Sequence, residues 1–600
     1  MIAKRLVLCA FLGQAWFCLA GEKADSDKPS AARRPTNVVL ILIDDLSHYG
    51  IGAYGATQIG SLKNQFSPQT LRTPNIDALA HEGFFASHAF AYPLCENTRV
   101  ALMSGKYNER NLLRAKALHE SDITFGDVFQ RAGYKTGLFG KWKQTRGTPS
   151  VPATQYLYRF GWDEFTAFDV ATAQQRFINP DLVINGTPVS YVGRSDKDPH
   201  TGRRWYGPDI VNRHALQFIE AHRDQAFFLY YPMLLVHDEH QPTPDTQPPR
   251  IFDQFPERDG PKRGKENNEP RYIADMIAYT DKLVGRIVAK LDELTLRERT
   301  LIVLVGDNGT KEIFSHILPG NRIYPGRKGG NTDNGLHVPL ILNMPNTIAP
   351  RAGKAYEGLV HITDIFPTIA EAAGIRIPNA GDLDGISFWP QVLGAAGEPR
   401  SYIHHWYIGN SDYREPDIAI DYVFNKDFKL YAPSKDFPDA AFFDLRKDLF
   451  EREGETEKKY RFGISRYSGI KPTSLNAEQQ AARRYLQTLL EKHAIVDATS
   501  VAISPVEKAL EIGETRLLSA STKPGNVTRN GIIWESSDPS VITINKFGEA
   551  RALTAGHATV TAYSWSDAKP YANGAAPEYS RDGVKDQITL TVLNKAYRSQ

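Results

Sequence analysis

Asn37–Asp45 reads NVVLILIDD, an unbroken apolar run that stops abruptly at two carboxylates. A short run of Val, Ile and Leu without polar alternation suits a strand covered on both faces, the situation of a parallel sheet. Ala226–Tyr231 (AFFLYY) and Leu301–Val305 (LIVLV) share that texture. Between these runs lie helical patterns such as Ile273–Leu294, with apolar residues recurring every three or four positions. Strands alternating with helices predict an α/β sandwich with a mostly parallel central sheet over residues 36–395.

Beyond that region the texture changes. Over 396–497, shorter strand candidates precede one strong helix: Asn476 caps it, Gln479 takes the capping-box position, and Ala482, Leu486, Leu489 and Leu490 form its apolar stripe. This predicts a smaller α+β subdomain. Over 499–594 helical periodicity disappears, and Val541–Ile544, Ala558–Ala562 and Ile588–Val592 alternate with period two. That pattern predicts a small antiparallel sandwich.

The other end of the chain carries Lys4-Arg5, an apolar stretch from Leu6 to Ala20, and small residues at Ala20-Gly21. These read as an export signal over residues 1–20 followed by a linker over 21–35, placing the protein in the periplasm or outside the cell. Cys9 and Cys18 leave with the signal, so Cys95 stands alone and the mature chain forms no internal disulfide.

Six hundred residues exceed a single hydrophobic core. The 41% hydrophobic and 23% charged fractions exclude a disordered chain, a collagen, a coiled coil and a polytopic membrane protein. The 71 Lys and Arg against 69 Asp and Glu leave a net charge of +2, and Lys4 and Arg5 account for it. A neutral mature chain has no global field for nucleic acid, so an anionic ligand must be gripped by local charge.

Local charge is concentrated at strand ends. Ile43 runs into Asp44-Asp45, and Val305-Gly306 into Asp307-Asn308-Gly309. In open parallel sheets the carboxyl ends of strands share one rim, so both pairs should converge there. An Asp after a strand often only caps the next helix, but two such pairs favour a cation. Three carboxylates and an amide oxygen, without a His or Cys cluster, suit Ca²⁺ or Mg²⁺ rather than zinc. A second constellation is Cys95-Glu96-Asn97-Thr98-Arg99, running into helix-compatible Val100–Met103. Cys95 and Arg99 fall on one helical face, and a group at a helix N-terminus meets free N–H donors and the positive end of the dipole.

With these motifs in hand, the chain resembles the type I, formylglycine-dependent sulfatases of the alkaline-phosphatase superfamily from about Asn37 to Phe450. The resemblance rests on ordered blocks: Asn37–Asp45 with Tyr54-Gly55; Thr73–Ala80 (TPNIDALA); Cys95 and Arg99 with Ala101–Gly105; Gly140-Lys141-Trp142; Gly161–Phe165 (GWDEF); His237; Asp307–Gly309 (DNG); Lys328 through Pro339; Thr363-Asp364 with Phe366–Thr368; and Asp384-Gly385. The resemblance implies an alkaline-phosphatase-like fold. It also implies that a maturation enzyme oxidises Cys95 to formylglycine, whose hydrate attacks sulfur and later expels sulfate as the aldehyde re-forms. It further implies Ca²⁺, with Mg²⁺ the alternative, on Asp44, Asp45, position 95, Asp307 and Asn308. In the same way Arg99 is expected to hold the hydrate, Lys141 and Lys328 to neutralise sulfate oxygens, and His237 to protonate the departing alcohol. Ile532–Ser564, with Trp534, Ser536-Ser537-Asp538, Gly548 and Ala555-Gly556, resembles a bacterial Ig-like domain of group 2, which implies a spacer or adhesion module on an exported bacterial protein.

Departures from the family pattern are Asn97, where Pro or Ala is usual, Lys143 in place of a histidine after GKW, His337 in place of an arginine, and Asn334 in place of a glycine. Lys143 and His337 are therefore candidate pocket-changing positions. Arg203 and Arg204 beside Trp205, and His404-His405 before Trp406, are further candidates for substrate contact. The expected activity is hydrolysis of sulfate monoesters on a sulfated polysaccharide or oligosaccharide. The alternatives are a phosphodiesterase or phosphonate monoester hydrolase on the same fold, and a non-catalytic glycan binder should Cys95 stay unconverted.

Overall fold

A computed structural model of the chain describes residues 37–110, 117–145, 151–170, 175–257, 267–348, 354–378, 380–408, 419–433, 439–454, 466–565 and 583–594. The expected export signal and linker lie outside these residues.

Ten strands form the central sheet: β1 (Asn37–Ile43), β2 (Phe84–Phe90), β3 (Lys135–Lys141), β4 (Glu164–Phe168), β5 (Asp181–Ile184), β6 (Thr187–Ser190), β7 (Phe227–Pro232), β8 (Thr300–Gly306), β9 (Leu340–Asn343) and β10 (Tyr356–His361). Their spatial order is β10-β2-β9-β8-β1-β7-β3-β4-β5-β6. The three apolar runs are adjacent: β1 lies between β8 and β7, parallel to both. With β3 and β4 they make a five-stranded parallel centre, while β9, β5 and β6 pair antiparallel toward the edges.

Alternation along β1 explains why no polar residue interrupts it. Val38, Leu40 and Leu42 enter a core on one face, with Val303 and Tyr230. Val39, Ile41 and Ile43 enter a second core on the other, with Ile302, Leu304 and Leu229. All six β1 side chains are fully buried, and each large aliphatic one contributes about 1.5–3 kcal/mol by leaving water. Six helices frame the argument: α1 (Pro74–His81), α2 (Cys95–Ser104), α3 (Phe125–Arg131), α4 (Gly207–Ala221), α5 (Ile273–Glu293) and α6 (Ala477–Lys492). Helices α4 and α5 bring Ile210, Phe218, Ile277 and Leu283 to the second core. Helix α2 belongs to the first, and all ten of its residues are buried. Gly105 ends α2 at φ 68°, a left-handed conformation that glycine adopts without a Cβ penalty.

Past β10, strands β11 (Ile403–Tyr407), β12 (Ile420–Phe424), β13 (Phe428–Tyr431) and β14 (Phe442–Asp444) form an antiparallel sheet in that order. Helix α6 packs Leu486, Leu489 and Leu490 against Val423, Leu430 and Phe442, and Asn476 with Gln479 makes the expected capping box.

The described residues from 500 to 594 form short sheets around their own core of Leu510, Ile542, Val560 and Leu590. One pairing departs from the antiparallel expectation: Ala509–Glu511 runs parallel to the end of Lys585–Leu593. This module is docked by polar anchors. Lys546 Nζ lies 2.8 Å from Asp127 Oδ2 and donates to the carbonyls of Asp122 and Arg159, each at 2.8 Å. Arg110 donates to the Thr528 carbonyl, Arg529 to that of Glu109, and Trp565 Nε1 to Ser121 Oγ. No helix among the described residues is long and apolar enough to cross a membrane.

Candidate active site

The strand ends converge. Asp44 and Asp45 follow β1, and Asp307 and Asn308 follow β8, its parallel neighbour. Asp307 Oδ1 accepts the Asp45 backbone N–H at 3.0 Å, and Asn308 Nδ2 donates to Asp45 Oδ1 at 2.9 Å. Lys141 is the last residue of β3. It reaches the centre because Gly140 (φ 142°) passes so close to β7 that a Cβ there would stand 1.9 Å from the Pro232 carbonyl oxygen. Beyond β7, the Asp44 N–H donates to the Leu235 carbonyl and the Val236 N–H donates to that of Asp44, which brings His237 alongside.

Cys95 is the first residue of α2, where free backbone N–H groups collect. Its Sγ lies 3.5 Å from Lys141 Nζ, and Lys141 Nζ lies 2.5 Å from Asp44 Oδ2. One turn along α2, Arg99 is fully buried and bridges the strand ends: NH2 is 3.3 Å from Asp44 Oδ2 and 3.0 Å from Asp307 Oδ2, while NH1 donates to the Lys141 carbonyl. Lys328 Nζ pairs with Asp45 Oδ2 at 2.6 Å. His237 Nε2 stands 3.9 Å from the same oxygen.

The electrostatics follow from packing this many charges out of water. Burial pushes the Cys95 thiol up, but Lys141, Lys328 and a hydrogen bond with His237 outweigh it and bring it down to about 6. Burial also opposes ionisation of Asp44, yet Lys141, His237, Arg99 and Lys328 hold it well below the usual carboxylate range. Asp307 moves the other way: burial and the charge of Asp44 push it well up despite Arg99. Lys143, at the mouth of the site 3.8 Å from Glu96 Oε1, is pulled down by burial.

A cation fits this arrangement. Ligand oxygens of Asp44, Asp45 and Asp307 lie within 4.8 Å of one another. Asp44 Oδ1 and Asn308 Oδ1 are buried with no hydrogen-bond partner among the described residues, an arrangement costly to leave uncompensated. An all-oxygen set of carboxylates and an amide is what a hard divalent ion takes.

Of the residues singled out from sequence, Asp44, Asp45, Cys95, Arg99, Lys141, His237, Asp307, Asn308 and Lys328 meet at this centre, with Lys143 at its edge. Others do not. Arg203 is bound to Asp253 and the Pro249 carbonyl, and Arg204 to Glu257 and the Phe255 carbonyl, so both staple their loop to residues 249–257. His337 stacks on His48 with centroids 3.9 Å apart and is held by the Ser87 carbonyl. His404 and His405 are fully buried in β11, bonded to Asp421 and Tyr422, where no saccharide reaches them. The side chains in these stretches are engaged in packing and loop closure, away from the cluster around Cys95.

The motifs also missed residues. Asp238 Oδ1 lies 2.7 Å from His237 Nδ1, and its Oδ2 lies 2.7 Å from Lys311 Nζ. Arg176, between β4 and β5, lies over His237 and pairs with Asp169. Asp169 directly follows β4, so the strand-end rule that found Asp44 and Asp307 applies to it as well. Nothing local in the sequence marks Arg176.

Comparison with known proteins agrees with this geometry. The sulfatase family model matches residues 36–375, and the model of the bacterial Ig-like domain (group 2) matches residues 497–569. Human arylsulfatase A is 28% identical over 396 residues, covering 62% of this chain and 70% of that protein. An N-acetylgalactosamine-6-O-sulfatase of Bacteroides thetaiotaomicron is 25% identical over 466 residues, covering 65% of this chain and 82% of that protein. The crystal structure of Ps i-CgsB in complex with k-i-k-neocarrahexaose shares the fold, with a TM-score of 0.51 at 21% identity over 70% of this chain and 88% of the other. A family match over more than half the chain, a span that contains the strand-end carboxylates and the helix-borne Cys95, leads to one conclusion: the chain belongs to the sulfatase family, carries a C-terminal Ig-like domain and is a sulfuric ester hydrolase.

Proposed function

We propose that the protein removes sulfate from sulfated saccharides, using the residue at position 95 after its conversion to formylglycine. The observation that carries this reading is the placement of Cys95 at the N-terminus of α2, 3.5 Å from Lys141 and facing the carboxylates of β1 and β8. Asp44, Asp45, Asp307 and Asn308 would hold a divalent cation, Ca²⁺ by preference, which supplies positive charge opposite the sulfate oxygens. Formylglycine would supply a hydroxyl nucleophile and a carbonyl that can re-form.

The chain's own groups divide the remaining work. Lys141 and Lys328 bring ammonium groups to one side of the centre, where they neutralise sulfate oxygens as charge shifts onto them. Arg99, fixed by Asp307 and the Lys141 carbonyl, keeps the side chain at position 95 aimed at the strand ends. His237 hands a proton from Nε2 to the departing alcohol oxygen. Lys143 adds a cation at the mouth, which suits a substrate carrying more than one anionic group. Burial of the centre excludes bulk water and strengthens each of these interactions.

The saccharide preference draws support from relatives: one is an N-acetylgalactosamine-6-O-sulfatase, and one solved structure holds a neocarrahexaose. Export through the signal at residues 1–20 and a maturation enzyme acting on Cys95 belong to the same reading. The test is mass spectrometry of tryptic peptide Thr73–Arg99 from a host that converts a control sulfatase, together with sulfate release from sulfated oligosaccharides. A formylglycine mass with release of sulfate is expected. Unmodified cysteine with phosphonate or phosphodiester turnover would replace this reading by a phosphohydrolase.

A further inference from the structure

His237 faces the reacting position only if something prevents its ring from turning, and none of the recognised motifs supplies that support. Asp169, at the end of β4 with φ 52°, grips Arg176 through Nε at 3.3 Å and NH2 at 2.6 Å. Both side chains are nearly sealed, at 1% and 6% exposure. The remaining arm of Arg176, NH1, donates to the Asp238 carbonyl at 3.3 Å and lies 3.4 Å from His237 Nδ1. Asp238 in turn places its carboxylate 2.7 Å from His237 Nδ1, with Lys311 on the other oxygen. His237 Nδ1 thereby meets the Asp238 carboxylate, the Asp238 carbonyl and Arg176 NH1, and Nε2 is left toward Asp45.

We propose that the Asp169–Arg176 pair is a positioning device for His237, fixing the Asp238 segment so that Nδ1–H points to Asp238 and Nε2 points to the leaving oxygen. This rests on the reading of His237 as proton donor. A ring nitrogen held by a carboxylate sets the tautomer and orientation of the other nitrogen. The cost of the pair supports the assignment. Burying a guanidinium and a carboxylate is no more stabilising than a well-packed apolar pair, so the charges are better explained by the geometry they impose than by stability. Asp169 serves the site twice, because its carbonyl also accepts the Lys143 N–H at 3.2 Å. The brace therefore registers the proton donor and the mouth cation to the same strand end.

The experiment uses full-length protein from a converting host, as wild type, Arg176→Lys, Arg176→Ala and the charge-free double variant Asp169→Asn with Arg176→Gln, the last guarding against a fold lost to one unpaired buried charge. In protein labelled with ¹⁵N-histidine, the Nδ1–H signal of His237 is identified as the one missing from His237→Ala. The brace predicts that this signal weakens or moves in Arg176→Ala and the double variant, and partly returns in Arg176→Lys. Turnover is then compared on a nitrophenyl sulfate, whose leaving group needs no proton, and on an unactivated sugar sulfate. Arg176→Ala should lower kcat about 100-fold on the sugar sulfate, with KM little changed and a far smaller loss on the nitrophenyl ester. An unmoved His237 signal, or equal losses on both esters, overturns the proposal. A wild type inactive on every sulfate ester defeats the proton-donor reading instead, and the His237 signal alone then decides whether the brace exists.

Discussion

The ammonium of Lys328 lies 2.6 Å from Asp45 Oδ2, joining the loop after β8 to the end of β1 across the rim of the sheet. Asp45 Oδ1 also accepts from Asn308 Nδ2 at 2.9 Å, so the carboxylate that holds the lysine is itself fixed. Lys328→Ala should lower kcat by about 10²–10³-fold, the range for removing one preorganised charge-stabilising donor. Sulfate release under saturating substrate measures it. A loss confined to KM would assign Lys328 to substrate capture alone.

Asp44 Oδ1 and Asn308 Oδ1 have no hydrogen-bond partner among the described residues, while burial and Asp44 push Asp307 well up. Calcium should relieve both conditions, and at a concentration 100-fold above Kd it should add about 2.7 kcal/mol of stability. Thermal unfolding with chelator and with Ca²⁺ tests this in the presence and absence of Asp307→Ala. The calcium response should vanish in the variant, and a response that persists would move the ion elsewhere.

Asn97 is fully buried inside α2, and neither polar atom of its amide side chain has a hydrogen-bond partner among the described residues. Asn97→Ala removes an uncompensated polar group and improves helix propensity, so it should stabilise the fold by about 1 kcal/mol. A higher urea midpoint at unchanged slope is the expected result. A lower midpoint would mean that the amide carries a bond to an ordered water.

His404 is clasped by Glu109 at 3.0 Å and Asp421 at 2.7 Å, which outweigh the opposing effect of burial and raise it to about 10. A raised histidine stabilises the fold fully below its ordinary value near 6.5 and loses that contribution as pH climbs toward 10. The gap in unfolding free energy between wild type and His404→Phe should be largest at pH 6, a few kcal/mol at most by about that shift, and should fade by pH 10. A gap constant across that window would show that His404 acts through packing alone.

Lys546 fills three acceptors at the catalytic domain, including the buried Asp127 carboxylate. Lys546→Met takes the cation from that carboxylate, which keeps only its hydrogen bonds from Thr124, so the Ig-like module should detach more readily. Limited proteolysis near residue 497 should run faster in the variant, with the catalytic activity retained. Equal cleavage rates would mean the remaining anchors suffice.

The parallel centre of the sheet and the cluster of oxygens at its rim were legible because one local rule covers both: an apolar run buried on two faces must end where the chain meets polar surroundings. β1 and β8 obey it, and their ends hold Asp44, Asp45, Asp307 and Asn308. Arg176 was not legible, since its position depends on where a loop folds back over His237. Arg203 and Arg204 looked free for a ligand because their acids, Asp253 and Glu257, lie about fifty residues downstream. His404 looked available for substrate contact for the same reason, its partners Glu109 and Asp421 arriving from different parts of the chain. Pairings over such separations belong to the tertiary fold and leave no periodic trace.

The near-complete burial of Cys95, only 3% exposed within a fully buried α2, bears on timing. Its neighbours arrive from positions 44, 141, 237 and 307, so the pocket closes only when the whole parallel centre has assembled. Long-range pairing of that kind is slow compared with local helix formation. On the proposed conversion, an enzyme altering Cys95 would have to win a race against folding, meeting the segment around Leu94–Arg99 while it is still accessible in the unfolded chain. A chain that missed that encounter would keep its cysteine once the sheet had closed.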